Sequence, residues 1–225
     1  MKLEFQQQPV GTIKLFAQKQ DDNTISATVD LTENGNAVNI KGNYFLNNDQ
    51  KQFRAGLNIN RLSMATLQTF SKGNLTRSSG NINGNISLQG KFSDPRWNGA
   101  LNFDTTQFTI AKLGTTYTLD KQKINLTYPE ISFNNFTIKD STNNSLKVDG
   151  RITSKTIADY DLDLKINADN FTLVNAPKAV ANQVYGFAAI DADIAISGTS
   201  ASPDIQGNLS LNDKTDVTLV LPEKI

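Results

Sequence analysis

The chain contains no cysteine and no histidine. Zinc sites of the Cys/His type are thereby excluded, and so are Ser-His-Asp and Cys-His catalysis. An oxidising and a reducing compartment both tolerate such a chain. Excess charge is missing too: 22 Lys and Arg balance 22 Asp and Glu, for a formal net charge of zero. Nucleic-acid binders carry basic excess to neutralise phosphates, so no nucleic-acid partner is expected. The sequence shows no basic run that would hold an anionic membrane surface. No apolar run approaches the roughly 20 residues that cross a bilayer. The start, "MKLEFQQQPVG", has no apolar stretch of signal-peptide length. It reads as an initiator joined to the middle of a protein, so a fragment of a longer chain is expected. Glu4, Glu33, Glu130 and Glu223 are scattered and offer no carboxylate pair for glycoside hydrolysis. Asp161 and Asp163 lack the Gly-centred loop and terminal Glu of a calcium site. No catalytic residue, metal site or cofactor is expected.

What the chain does have is alternation. "YDLDLKINA" puts Tyr160, Leu162, Leu164, Ile166 and Ala168 on one face and Asp161, Asp163, Lys165 and Asn167 on the other. The pattern recurs in Ile25, Ala27, Val29 and Leu31, in Ile82, Ile86 and Leu88, and in Leu101 and Phe103. It returns in Ile124, Leu126 and Tyr128, in Leu146, Val148 and Ile152, and in Ile190, Ala192, Ile194 and Ile196. Gly, Asn, Asp or Pro bound each run, as turns bound strands. One apolar and one polar face imply antiparallel sheet with one side in water. Helical spacing is confined to "RLSMATLQTFSK" and "APKAVANQVYG". In the first, Ser63 is placed to cap, and Leu62, Leu67 and Phe70 to face the sheet. The expected fold is all-β with two short helical inserts, forming one elongated β-repeat domain over residues 1–225.

Two decapeptides share a skeleton. "GKFSDPRWNG" and "GTSASPDIQG" keep Gly90, Pro95 and Gly99 at the spacing of Gly198, Pro203 and Gly207 and differ everywhere else. Pro cannot donate to a ladder and Gly permits positive φ, so the three positions read as a turn motif. A strand is expected to end at the first Gly and the next to open at the second. The flanks agree as well, Ile86 with Ile194 and Leu101 with Leu209. Similar hairpins near 80–103 and 188–211 imply stacked, repeating architecture.

These segments, with "NRLSMATLQTFSKGNLTRSSGNINGNISLQG", "ISFNNFTIKDSTNNSLKVDGRI" and "FTLVNAPKAVANQVYGFAAIDADI", resemble in order the carboxy-terminal domain of the TamB (translocation and assembly module) family. That family belongs to the AsmA-like bridge-shaped envelope proteins. The resemblance implies a long antiparallel sheet curled into an open trough, a β-taco of stacked hairpins, greasy inside and wet outside. It implies a non-catalytic role in the periplasm of a diderm bacterium. There, phospholipid acyl chains would pass toward the outer membrane, and outer-membrane proteins would be assembled with a barrel partner of the TamA type. The family's amino-terminal transmembrane helix, which anchors it in the inner membrane, and its final barrel-contacting segment have no counterpart in this sequence.

Periodicity by itself leaves two arrangements open. Each buried Ile, Leu or Phe is worth about 1.5–3 kcal/mol, so a bare apolar face is costly. The sheet either collapses into a closed sandwich or barrel, or stays a trough filled by acyl chains. Roughly 16 strands at about 4.8 Å each would extend on the order of 75 Å. The lining expected of a trough is Ile82, Ile86, Leu88, Phe92, Leu101, Phe103, Ile124, Leu126, Leu146, Val148, Leu162, Leu164, Ile166, Ile194 and Ile196. The rival is a β-repeat adhesin or carbohydrate-binding module with a closed core, with Trp97, read as lying in a turn, serving as a sugar platform or capping the apolar face. The Asn-x-Thr and Asn-x-Ser patterns in "NNFTIK" and at Asn74, Asn85, Asn125, Asn170 and Asn208 read as chance in an Asn- and Thr-rich β chain.

Overall fold

The computed structural model describes residues 1–46, 52–156, 158–178 and 184–220. Fifteen strands form one sheet, antiparallel throughout. In chain order they are β1 (Lys2–Phe5), β2 (Gln8–Asp21), β3 (Thr24–Glu33), β4 (Asn36–Phe45), β5 (Gln52–Ser63), β6 (Leu75–Lys91) and β7 (Asp94–Ile110). There follow β8 (Thr115–Leu119), β9 (Gln122–Thr127), β10 (Glu130–Lys139), β11 (Ser145–Ser154), β12 (Tyr160–Ala176), β13 (Val184–Thr199), β14 (Ser202–Leu211) and β15 (Asp216–Leu219). Neighbours in sequence are neighbours in space almost everywhere, as a meander of hairpins requires. β8 and β9 act as one kinked strand, lining successive halves of β7.

A meander of this kind has two rims of turns. The first carries Asp22–Asn23, Phe92–Ser93, Tyr128–Pro129 and Ser200–Ala201. The second carries Gln6–Gln7, Asn34–Gly35, the helix α1 (Met64–Phe70) and the turn around Asp140. Ser63 caps α1 by accepting from the Ala65 N–H, as its position in the sequence indicates. The inward face of α1 differs from expectation: Met64 and Thr66 are buried, whereas Phe70 is 45% exposed and packs on Phe5. Of the second helical segment, residues 176–186, residues 179–183 lie outside the described residues, while Ala176 and Val184 to Gly186 are strand and not helix.

The decapeptide skeleton also sits differently. Lys91 pairs with Asp94 and Thr199 with Ser202, so the turns are Phe92–Ser93 and Ser200–Ala201. Gly90 faces Pro95, and Gly198 faces Pro203, inside the strands that flank those turns. Strand therefore runs through the first Gly, and the second Gly is mid-strand, opposite Ile86 in one copy and Ile194 in the other. The prolines are tolerated for positional reasons. Pro95 lies beyond the end of β9, whose last pairing to β7 is at Asn98, and Pro203 is on the edge strand β14. A Cβ on Gly99 would stand 2.0 Å from the Asn85 carbonyl oxygen, and one on Gly207 2.0 Å from that of Asp193. What the two copies share is a close backbone approach that no other residue fits. Trp97, two residues before Gly99, is likewise within β7 and not in a turn.

Bulges curl the sheet. Register slips in β5, β6, β10 and β12. Residues with φ between 47° and 51° interrupt neighbouring strands at Arg77, Thr105, Lys121, Asn135 and Asn170. Each extra residue bends its strand and raises the local twist. Two of these bulges use one device: the Asn135 N–H donates to Asp149 Oδ1, and the Asn170 N–H to Asp191 Oδ1, both at 2.6 Å. The following phenylalanines, Phe136 and Phe171, are buried at 7% and 2% exposure.

Beyond the bulges the second rim closes on itself. The β10–β11 hairpin stops near Asp140, while β12 runs on and lies along β8. There the Thr115 hydroxyl and the Tyr117 hydroxyl both donate to the Leu173 carbonyl, and the Asn175 N–H donates to that of Leu113. Tyr117 stacks on Phe171 with centroids 5.4 Å apart, and Ile190 and Ala192 complete the cluster. Farther along the same rim, buried Asn36 donates to the Val10 carbonyl and the Thr66 hydroxyl and accepts from the Ser63 N–H. Among the described residues, the buried ones lie on this half of the strands, Ser154 excepted.

Candidate functional site: the apolar face

Strand pairing turns the alternation of each strand into rows that cross the sheet. One row runs Val29, Ile40, Leu57, Ile86, Gly99, Leu126, Ile131, Ile152, Leu162, Gly198, Pro203. The next runs Leu31, Val38, Ile59, Gly84, Leu101, Ile124, Phe133, Gly150, Leu164, Ile196, Ile205. Side chains paired across a sheet share a face, so each row is a continuous apolar line at right angles to the strands. No charged or polar side chain interrupts either one. Shorter rows flank them. Leu88 sits between Ala55 and Trp97, Ile82 between Leu62 and Phe103, and Leu146 between Ile138 and Ala168. Phe136, Val148, Ile166 and Ile194 form another, which ends at Gly207.

The structure therefore brings fourteen of the fifteen expected lining residues onto one face, and treats them unequally. Ile82 is buried, next to α1. Ile86, Leu88, Leu101, Phe103, Ile124, Leu126, Leu146, Val148, Leu162, Leu164, Ile166, Ile194 and Ile196 are half-buried, Leu146 and Ile194 against the Tyr117–Phe171 cluster and Phe103 against Phe136. Phe92 stands apart, in a turn of the first rim and 67% exposed, its ring stacked on Phe53 at 4.7 Å and 5.7 Å from Tyr44. Sequence reasoning missed Ile131, Phe133, Ile205 and the β4 and β5 contributions to the rows. Their alternation was there to read, in "EISF" and "NAVNIKG".

Exposure grows toward the edge. Every residue of β14 is exposed, and Ile205, Leu209 and Leu211 are each more than 60% exposed. The half-buried ring of Trp97 packs edge-on against Tyr128, with centroids 5.1 Å apart. Its indole N–H is buried without an acceptor among the described residues.

Two ionisable groups, Asp140 and Tyr117, lie at the closed rim, and both are shifted. Burial pushes the Asp140 carboxyl up, but hydrogen bonds outweigh it and hold the group below the usual carboxylate range. They come from the N–H groups of Thr172, Thr142 and Asn144 and from the Thr142 hydroxyl. Burial pushes the Tyr117 hydroxyl up to about 12. Among the described residues no group of three or more acidic side chains could hold a metal ion.

Residues 134–224, from the middle of β10 onward, match the family model of the TamB C-terminal domain. Over these residues the chain is similar to that domain. No curated protein and no solved structure matches the chain significantly. The TamB match covers the Asn135 and Asn170 bulges, the β12 side of the closed rim and the second copy of the decapeptide hairpin; β8 and the first copy lie upstream of it. No described helix is long and apolar enough to cross a membrane.

Proposed function

We propose that the apolar face is a segment of a TamB-like periplasmic bridge that carries phospholipid acyl chains between the inner and outer membranes. The observation that supports this reading is the pair of unbroken apolar rows, each crossing eleven strands with side chains left half-exposed. A sealed sandwich would bury them, and leaving them in water costs on the order of 25 cal/mol for each Å² of apolar surface. Acyl chains lying along the rows would remove that cost. The mechanism is passive: tails slide along a face without polar steps, while head groups stay in water along the first rim. The carbohydrate-binding alternative needs a flat exposed aromatic, and Trp97 is half-buried against Tyr128. Support for outer-membrane protein assembly, by pairing at the exposed edge of β14, is compatible with the same sheet.

Phospholipids brominated on the acyl chain test the proposal, because Trp97 is the sole tryptophan and stands beside Leu88. Bound lipid should quench its fluorescence. Leu164→Glu, placed mid-row on half-buried β12, should cut retained phospholipid by about tenfold or more, since a carboxylate in an apolar line is costly to desolvate. Circular dichroism of that variant should stay that of the sheet. Unquenched Trp97, or lipid retention unchanged by Leu164→Glu, refutes the acyl-chain reading.

A further inference from the structure

The sequence shows no basic run, yet strand pairing assembles one basic cluster. Arg54 of β5, Gln89 of β6 and Arg96 of β7 are successive cross-strand partners and so share the polar face. With strands about 4.8 Å apart, the two arginines are rooted about 10 Å apart with Gln89 between them. Lys91 lies one step nearer the first rim, paired with Gln52 and Asp94. Together these residues line a recess of about 560 Å³ that also includes Phe53, Gly90 and Ser93.

Its charge is unspent. Among the described residues, ion pairs form at Lys19, Arg151, Lys155 and Lys165 and at none of the recess cations. Arg54 lies 5.9 Å from the centre of the Phe45 ring, and Arg96 lies 5.5 Å from that of Tyr128. These contacts position the guanidinium groups without neutralising them. The carboxylate in the lining, Asp94, already accepts from the Tyr128 hydroxyl. In a chain of zero net charge, three cations against one carboxylate make a local anion-attracting field.

We propose that this recess binds the phosphate of a phospholipid head group at the first rim, with Arg54 and Arg96 as the two anion-holding arms. The inference rests on the acyl-chain reading above. Guanidinium forks match phosphate oxygens bidentately, and Gln89 and Lys91 supply further donors. Phe53 marks the lipid as the source of the phosphate. It borders the recess but, alternating with Arg54, belongs to the apolar face, and it stacks on Phe92 at 4.7 Å, so the first rim is where the anion site on the polar face meets the apolar one.

The test titrates the full chain with three probes: dihexanoyl phosphatidylglycerol below its micelle concentration, dihexanoylglycerol without phosphate, and inorganic phosphate. Nuclear magnetic resonance follows the arginine Nε–H signals and the methyls of Leu164 and Ile196 separately. Phosphatidylglycerol should move both sets, and dihexanoylglycerol the methyls alone. Arg54→Gln/Arg96→Gln should weaken phosphatidylglycerol binding at least tenfold while leaving dihexanoylglycerol binding and circular dichroism unchanged, since both arginines are exposed. Equal binding of phosphatidylglycerol by wild type and double variant overturns the recess and leaves the conduit standing. Arginine shifts with inorganic phosphate but not with the lipid overturn the head-group assignment in favour of a free anion. If the methyls stay still while the arginines respond to phosphatidylglycerol, the conduit fails and the recess stands. If neither set responds, both fail.

Discussion

Gly99→Ala should destabilise the sheet by about 2–3 kcal/mol, read as a fall in the denaturant midpoint at unchanged slope. Gly99 has φ of +156°, and an added Cβ would meet the Asn85 carbonyl oxygen at 2.0 Å and the Ile86 Cα at 2.8 Å. Both are backbone atoms of β6, so the clash cannot be relieved by turning a side chain. β6 is itself fixed between β5 and β7 and has nowhere to retreat. Gly56→Ala is the matched control, because a Cβ there meets nothing within 4 Å. It should be neutral or stabilising by up to about 1 kcal/mol, through lost freedom of the unfolded chain. Gly207→Ala meets the same obstacle, but β14 is an edge strand and can peel from β13, so its global cost should be smaller. Equal midpoints for Gly56→Ala and Gly99→Ala would show that the close approach is unimportant.

Asp140→Ala should cost about 2–3 kcal/mol, since it strands the buried Thr172 N–H and the part-buried N–H groups of Thr142 and Asn144. The carboxylate joins the β10–β11 turn to β12 by accepting the Thr172 N–H at 2.7 Å, at the point where the second rim closes. Its folded pKa is depressed, so its contribution is fully present above the unfolded carboxylate value of about 3.9 and is lost as pH falls through the folded value. Wild type should therefore lose stability below about pH 4 in a way that Asp140→Ala does not. At the alkaline end the sign reverses. The Tyr117 pKa is raised from 10.0 to about 12, so between those values the unfolded chain sheds a proton that the folded one keeps, and stability falls. Tyr117→Phe should flatten that alkaline decline. Superimposable acid limbs for wild type and Asp140→Ala would remove the carboxylate from the account.

The strands and their faces were legible in the sequence because period two survives wherever a strand is regular. Leu162, Leu164 and Ile166 fall on one face in the sequence pattern and in the ladder alike. Legibility stops at the bulges. Apolar positions in β10 run 131, 133 and then 136, 138; in β12 they run 164, 166, 168 and then 171, 174, 176. Each slip of phase is an extra residue. The phrases that mark two of the slips, Asn135-Phe136-Thr137 and Asn170-Phe171-Thr172, read in the sequence alone as chance glycosylation patterns. Asn takes the left-handed conformation more readily than most residues, Phe turns inward, and an Asp on the neighbouring strand accepts the freed N–H. The turns were misplaced for a related reason: Gly and Pro mark unusual backbone, and here that backbone is a close approach inside strands. The basic recess was invisible because Arg54, Gln89 and Arg96 meet only through pairing.

Rows that run across strands separate two dimensions of the furrow. Strand length fixes how wide it is, and the number of hairpins fixes how far it reaches. Adding one hairpin would lengthen it by about 10 Å and leave its bore unchanged. Duplicating or deleting hairpins would thus change the reach of such a sheet without altering the width of its apolar face.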